Sequence, residues 1–252
     1  MSTLEYIIIF TLIGSVLSLA GGIILLANEK LTLKISHLLI SFAAGTLLGT
    51  AFLDLLPEAL HESGKQAESQ IFTWTLVGIL LFFIIERFIH STHRHDGIHA
   101  RETKPTVPLI IVSDSLHNFI DGVVIAAAFL VNIPLGIVTA IAVGAHEIPQ
   151  EISDFSIMLH SGVKRLKVIF YNLFSSLTAL IGALLTFALK DSVENILPAL
   201  LALTAGFFIY IAASDLIPEI HHEKRKGFAL YETLLLLLGV VLVYILITLL
   251  RQ

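Results

Sequence analysis

Apolar residues fill most of this chain in runs of roughly 20, each long enough to cross about 30 Å of hydrocarbon at 1.5 Å per residue. The first run, Tyr6 to Asn28, carries no charge. Similar runs follow at Ile35–Leu56, Phe72–Phe88, Val168–Leu189, Ile196–Ile217 and Tyr231–Leu250. Two more, Leu109–Val131 and Pro134–His160, are apolar on one side only. The pattern predicts an all-α polytopic membrane protein with eight transmembrane helices. The longest connection, Ile89 to Pro108, is too small for a separate domain.

Composition agrees with that pattern. Of 252 residues, 56% are hydrophobic and only 14% charged, where a soluble domain carries about 25%. The long runs do not fit an outer-membrane barrel, whose segments are short and alternate. The absence of cysteine excludes disulfides, thiolate zinc sites and cysteine nucleophiles. Met1 to Glu5 lacks the basic stretch of a cleaved signal peptide, so the first run is expected to stay as an anchor.

Basic residues set the orientation. Lys30, Lys34, Arg87, Arg94, Arg101, Lys104, Lys164, Arg165, Lys167, Lys224, Arg225 and Lys226 fall in the connections after odd-numbered spans. Lys65, Lys190 and Arg251 alone fall on the other side. This asymmetry predicts a multi-pass protein of the plasma (inner) membrane with both termini extracytoplasmic. No nucleic-acid partner is expected; the partners are the lipid bilayer and the ions considered below.

The chain also repeats itself. At an offset of 161, Ala44 and Gly45 match Ala205 and Gly206, and Ala51 matches Ala212. Asp54 to Glu58 (DLLPE) matches Asp215 to Glu219 (DLIPE), and His61 and Glu62 match His222 and Glu223. Gly21 falls on Gly182 and Gly78 on Gly239. The second and seventh spans run in opposite senses, so the repeat is inverted, as in transporters that place a binding site between their halves. One transmembrane domain, residues 1–252, is therefore expected in three parts. These are 1–104 (three helices and a histidine-containing cytoplasmic loop), 105–162 (the two-helix core) and 163–252 (three helices).

Ionisable groups in mid-membrane are costly and mark function by default. The fourth span carries Asp114, His117, Asn118 and Asp121 within an arc of about 100°. The fifth carries His146, Glu147, Gln150, Glu151 and Asp154 within about 140°, with Ile148, Ile152, Phe155 and Leu159 opposite. A tight turn near Asn132 makes the two spans antiparallel neighbours. The pairs His117/Asp121 and His146/Gln150 are each spaced one turn apart. Facing one another, they make a four-ligand nitrogen and oxygen site suited to Zn²⁺ first, then Fe²⁺, Mn²⁺ or Cd²⁺. Asp121 and Glu147 would offset the ion's charge. Pro149 cannot donate to the carbonyl of Ala145, so a kink is expected beside His146.

These residues resemble the ZIP (Zrt-, Irt-like) divalent metal transporters, most of all the subfamily whose fifth helix reads H-E-x-P-H-E-x-G-D-F. The matching stretches are Asp114 to Gly122 (DSLHNFIDG) and His146 to Phe155 (HEIPQEISDF). Tyr210 to Glu219 and Phe82 to Glu86 look similar too. The resemblance implies a non-enzymatic carrier that brings metal toward the cytoplasm in an elevator-like motion, with three plus two plus three helices and frequent homodimerisation. Primary-site ligands carry over to His117, Asp121, His146 and Gln150, and neighbouring positions to Asn118 and Glu147. No resident cofactor is implied; zinc or another divalent metal is the transported substrate. Gln150 departs from the subfamily's His, and Ser153 from its Gly. Val168–Leu189 contains no carboxylate, which favours a single transported ion.

Other polar groups have plainer readings. Asp114 and Asp154, toward the cytoplasm, are candidates for an exit path, together with His90, His93, His95 and His99 in the loop after the third span. Glu151 is expected to partner another helix, and Pro57 and Pro218 to bend helix ends. The rival from another class is an intramembrane zinc protease, since His146 and Glu147 open an H-E-x-x-H pattern. That chemistry needs histidine at position 150, where glutamine stands.

Overall fold

Backbone amides inside a bilayer find no water, so each apolar run must satisfy its own hydrogen bonds as a helix. The computed structural model describes residues 1–27, 29–63, 68–91, 107–222 and 227–251. Among them no strand occurs. The long helices are α1 (Thr3–Ala27), α2 (Glu29–Thr50), α4 (Glu68–Ser91), α5 (Val107–Val131), α6 (Ile133–His160), α7 (Arg165–Ala188), α9 (Leu197–Tyr210) and α11 (Phe228–Leu250). Shorter pieces complete them: α3 (Leu56–Ser63), α8 (Lys190–Val193) and α10 (Ile217–His221). Among the described residues seven stretches are long and apolar enough to cross a membrane. The chain is an all-α polytopic membrane protein. Helix α6 is not among the seven although it has 28 residues, because His146, Glu147, Gln150, Glu151 and Asp154 interrupt its apolar run.

Pro57 and Pro218 do more than bend helix ends. Each follows a turn of π-helix, Ala51–Leu55 after α2 and Ile211–Leu216 after α9. The Leu56 N–H reaches Ala51 O, and the Ile217 N–H reaches Ala212 O. A proline ring collides with the carbonyl four residues back and offers it no proton. One extra residue in the preceding turn relieves that collision and lets α3 and α10 continue. The two π-turns stand at positions related by the offset of 161. Pro149, by contrast, lies inside a helix that runs on from Ile133 to His160.

Helix pairs follow the same offset. Helix α2 packs on α11, and α4 packs on α9. A Cβ added at Gly45 would run into the Leu236 carbonyl, and one at Gly239 into Phe42. In the other pair, Gly206 faces Thr75 and Gly78 faces Leu203 just as closely. Helix α5 packs on α7 through Gly122 and Gly182, while α1 packs on α6. Helices α1 and α7 meet each other as well, and Ser15 Oγ lies 3.4 Å from the carbonyl of its image Ser176. Only glycine permits these approaches, which replace lipid contact with tight backbone packing. The core between the pairs holds Ile125, Phe129, Leu135, Ala205, Phe208 and Ala212.

Several basic residues used for orientation (Lys65, Arg94, Arg101, Lys104, Lys224, Arg225 and Lys226) lie outside the described residues.

Candidate metal centre

Asn132 is the whole connection between α5 and α6. Its extended backbone stops α5, and its side chain accepts from the Leu135 N–H at 2.8 Å to start α6, with Pro134 in the first turn. So short a turn lays the two helices side by side, polar stripe to polar stripe.

Four side chains converge between them. His117 Nε2 lies 3.0 Å from His146 Nε2. Asp121 Oδ2 is 3.6 Å from the first imidazole nitrogen and 3.4 Å from the second. Glu147 Oε1 is 3.7 Å from His117 Nε2. One ligand atom from each of the four falls within 4.8 Å of every other. His146, Glu147 and Asp121 are buried, at 1%, 3% and 4% exposure. Among the described residues, Asp121 Oδ2 and both Glu147 carboxylate oxygens have no hydrogen-bond donor. Buried acceptors left without donors are expensive, and a cation among them removes that cost.

The surroundings aim the ligands. His146 Nδ1 sits 3.3 Å from the Ala142 carbonyl one turn back, which turns Nε2 toward the cluster. Phe82 meets His117 edge to face, with ring centroids 5.9 Å apart, and Phe208 lies 6.4 Å from His146. These rings keep the site apolar at its back. A small cavity lined by Thr11, Ser15, Ile125 and Val143 reaches Asp121 and Glu147 from the α1 side.

The remaining residues of the polar stripes form a second group. Asn118 donates from Nδ2 to Asp114 Oδ1 at 2.9 Å and to the Asp114 carbonyl at 3.1 Å. Ser175 of α7 donates to Asp114 Oδ2. Gln150, half-buried, reaches Asp114 as well. Glu151 is fully buried and neither of its oxygens has a donor among the described residues; Asp154 is half-buried beyond it. The structure thus brings His117, Asp121, His146 and Glu147 together, and turns Asn118 and Gln150 toward Asp114. His93, His95 and His99 lie outside the described residues, and His90 ends α4.

Ser175 was not foreseen. Its trace in the sequence is the Ser175 and Ser176 pair inside a largely apolar span, at the images of Gly14 and Ser15. Nor were the contacts of Arg251, Glu58 and Asn132, which join residues far apart in the chain.

Comparison with known proteins gives the same direction. The model of the ZIP zinc transporter family matches residues 2–108 and 91–247. The zinc transporter ZIP13 of Pongo abelii is 32% identical over 215 residues, covering 81% of this chain and 64% of the relative. The zinc transporter ZIP10 of Mus musculus is 39% identical over 140 residues, covering 53% and 17%. The zinc transporter zipt-7.2 of Caenorhabditis elegans is 30% identical over 277 residues, covering 87% and 60%. The chain therefore spans less than two thirds of the length of each of these relatives. With the family's model matched across nearly all of its length and a histidine and carboxylate cluster buried between two helices, this chain belongs to the ZIP zinc transporter family.

Proposed function

We propose that the protein carries divalent metal ions, zinc first, across its membrane toward the cytoplasm by alternating access. The observation that carries this reading is the buried convergence of His117, Asp121, His146 and Glu147 with ligand atoms within 4.8 Å. Two imidazoles and two carboxylates suit a borderline dication, and the carboxylates balance its charge where the dielectric is low. Asn118, next to His117, and Gln150, one turn along from His146, complete the ligand set when their amides turn from Asp114.

In this reading eight helices act as three plus two plus three, with α5 and α6 carrying the site between the repeats. The paired glycine crossings and paired π-turns support that division. Both ends of the chain face outside, in the plasma (inner) membrane, and the exposed apolar sides of α4, α7 and α11 meet lipid or a second copy. An ion leaving the centre passes Asp114, Glu151 and Asp154 toward the cytoplasmic histidines His90, His93, His95 and His99. Moderate affinity is required, because a closed cage of strong ligands does not release its ion. Fe²⁺, Mn²⁺ and Cd²⁺ are the competing cargoes.

The test is radiometal uptake into proteoliposomes by wild type, His117→Ala and Asp121→Ala. Uptake is expected to fall to background in both variants; equal uptake by all three removes the site. Parallel runs with Fe²⁺, Mn²⁺ and Cd²⁺ rank the cargoes.

A further inference from the structure

On the face that holds the α5–α6 turn, side chains distant in sequence are tied together by one cation. Arg251, just past α11, donates from Nη2 to Asp54 Oδ1 at 2.6 Å and lies 3.0 Å from Glu58 Oε2. Glu58 Oε1 in turn accepts from Asn132 Nδ2 at 2.8 Å. Asp54 belongs to the first π-turn and is fully buried, while a third of the Arg251 side chain is exposed. Glu58 belongs to α3, and Asn132 is the α5–α6 turn itself. One guanidinium therefore binds the end of α11 to the end of α2, and through Glu58 reaches the outer end of the two helices that carry the metal centre.

The internal repeat supplies its own comparison. At the offset of 161, Asp54 and Glu58 correspond to Asp215 and Glu219, and Arg251 corresponds to His90. Asp215 and Glu219 are exposed. Asp54 is thus buried beneath a permanently charged arginine, while its image Asp215 lies exposed. Guanidinium keeps its charge at any working pH and can bridge two carboxylates.

We propose that Arg251 is a positioning residue for transport: it clamps the outer end of the α5/α6 pair to the π-turn through Asp54 and Glu58, and its release accompanies each opening of that face. This rests on the transport reading above. Separating a buried carboxylate from the cation that pairs with it is costly, so the clamp biases the molecule toward the state closed on this side. Removing the cation shifts the population toward the open one.

The chain contains no cysteine, so single reporter thiols can be read without background. Ile125→Cys places one on the cavity wall beside Asp121, at a residue 2% exposed. In proteoliposomes of the full chain, a membrane-impermeant methanethiosulfonate is applied from the Arg251 side and the labelling rate measured. With Arg251→Gln the rate is expected to rise about tenfold or more, with Arg251→Lys less, and with Asn132→Ala in the same direction. A control thiol at Ala183→Cys, buried in α7, is expected to stay unreactive. Unchanged labelling at Ile125→Cys in all three variants overturns the clamp, and so does equal acceleration at both reporters, which reports unfolding. Uptake is measured on the same vesicles. If reporter labelling changes as expected but the cysteine-free parent moves no metal, the transport reading falls and the clamp stands; normal uptake with unchanged labelling overturns the clamp alone.

Discussion

His146 holds its Nδ1 against the Ala142 carbonyl and its Nε2 toward His117 and Asp121, so ring orientation is set before any ion arrives. Preset ligands cost little to order, and their loss is felt in full. Equilibrium zinc binding to the purified protein, read by competition with a chromogenic chelator, is expected to weaken about 100-fold or more for Asp121→Ala and His146→Ala, at or beyond the upper end seen for supporting residues around metal sites. Gln150→Ala is expected to lose only about tenfold, since Gln150 must first leave Asp114. Equal losses at positions 121 and 150 would contradict that ranking. His117, Asp121 and His146 were legible in the sequence because helical spacing puts them on two facing stripes, whereas the spacing offered Gln150 as the fourth ligand and the structure brings Glu147 there. The diversion of Asn118 and Gln150 was not legible, because it depends on Asp114 being held by Ser175 from a third helix. No periodicity within α5 or α6 carries that information.

At the scale of elements, the spans and their repeat were readable and their exact form was not. Pro57 and Pro218 announced irregular helix ends; the π-turns depend on how α3 and α10 are then held. Pro149 announced a kink, yet α6 remains helical through it. The matched glycines were visible as letters, and their meaning became clear only when Gly45 met α11 and Gly206 met α4. Gly45→Val and Gly206→Val should each destabilise the protein by about 1–3 kcal/mol or more, because the obstacle is backbone that cannot rotate aside. Gly14→Ala, where an added Cβ meets nothing within 4 Å, is expected to leave stability unchanged or raise it by up to about 1 kcal/mol through helix propensity. Thermal unfolding in one detergent, all variants side by side, checks both. A tolerated Gly45→Val would mean the α2/α11 crossing is looser than described.

For the whole molecule, ligand binding and stability are linked. Zinc at about 100 times its dissociation constant should stabilise the folded state by about 2.7 kcal/mol, seen as a rise in Tm that a chelator reverses. The double variant His117→Ala with His146→Ala should show no such rise; a rise of the same size would locate the stabilising ion elsewhere. Chain orientation was drawn from basic residues that mostly sit in connections, many of them outside the described residues. The framework itself has one uneven feature. Three of the four main helix pairings (α2/α11, α4/α9 and α5/α7) are locked by carbonyls pressed against glycines. The fourth, α1 on α6, is looser: Gly144 would meet only the Gly14 Cα, at 3.7 Å, and Gly21 would meet the side-chain methyl of Ile148 at 3.0 Å and its carbonyl at 3.3 Å. Mechanical slack is therefore gathered along a single seam. That seam borders the cavity leading to Asp121 and Glu147, so the molecule gives way most easily where its cargo would have to squeeze by.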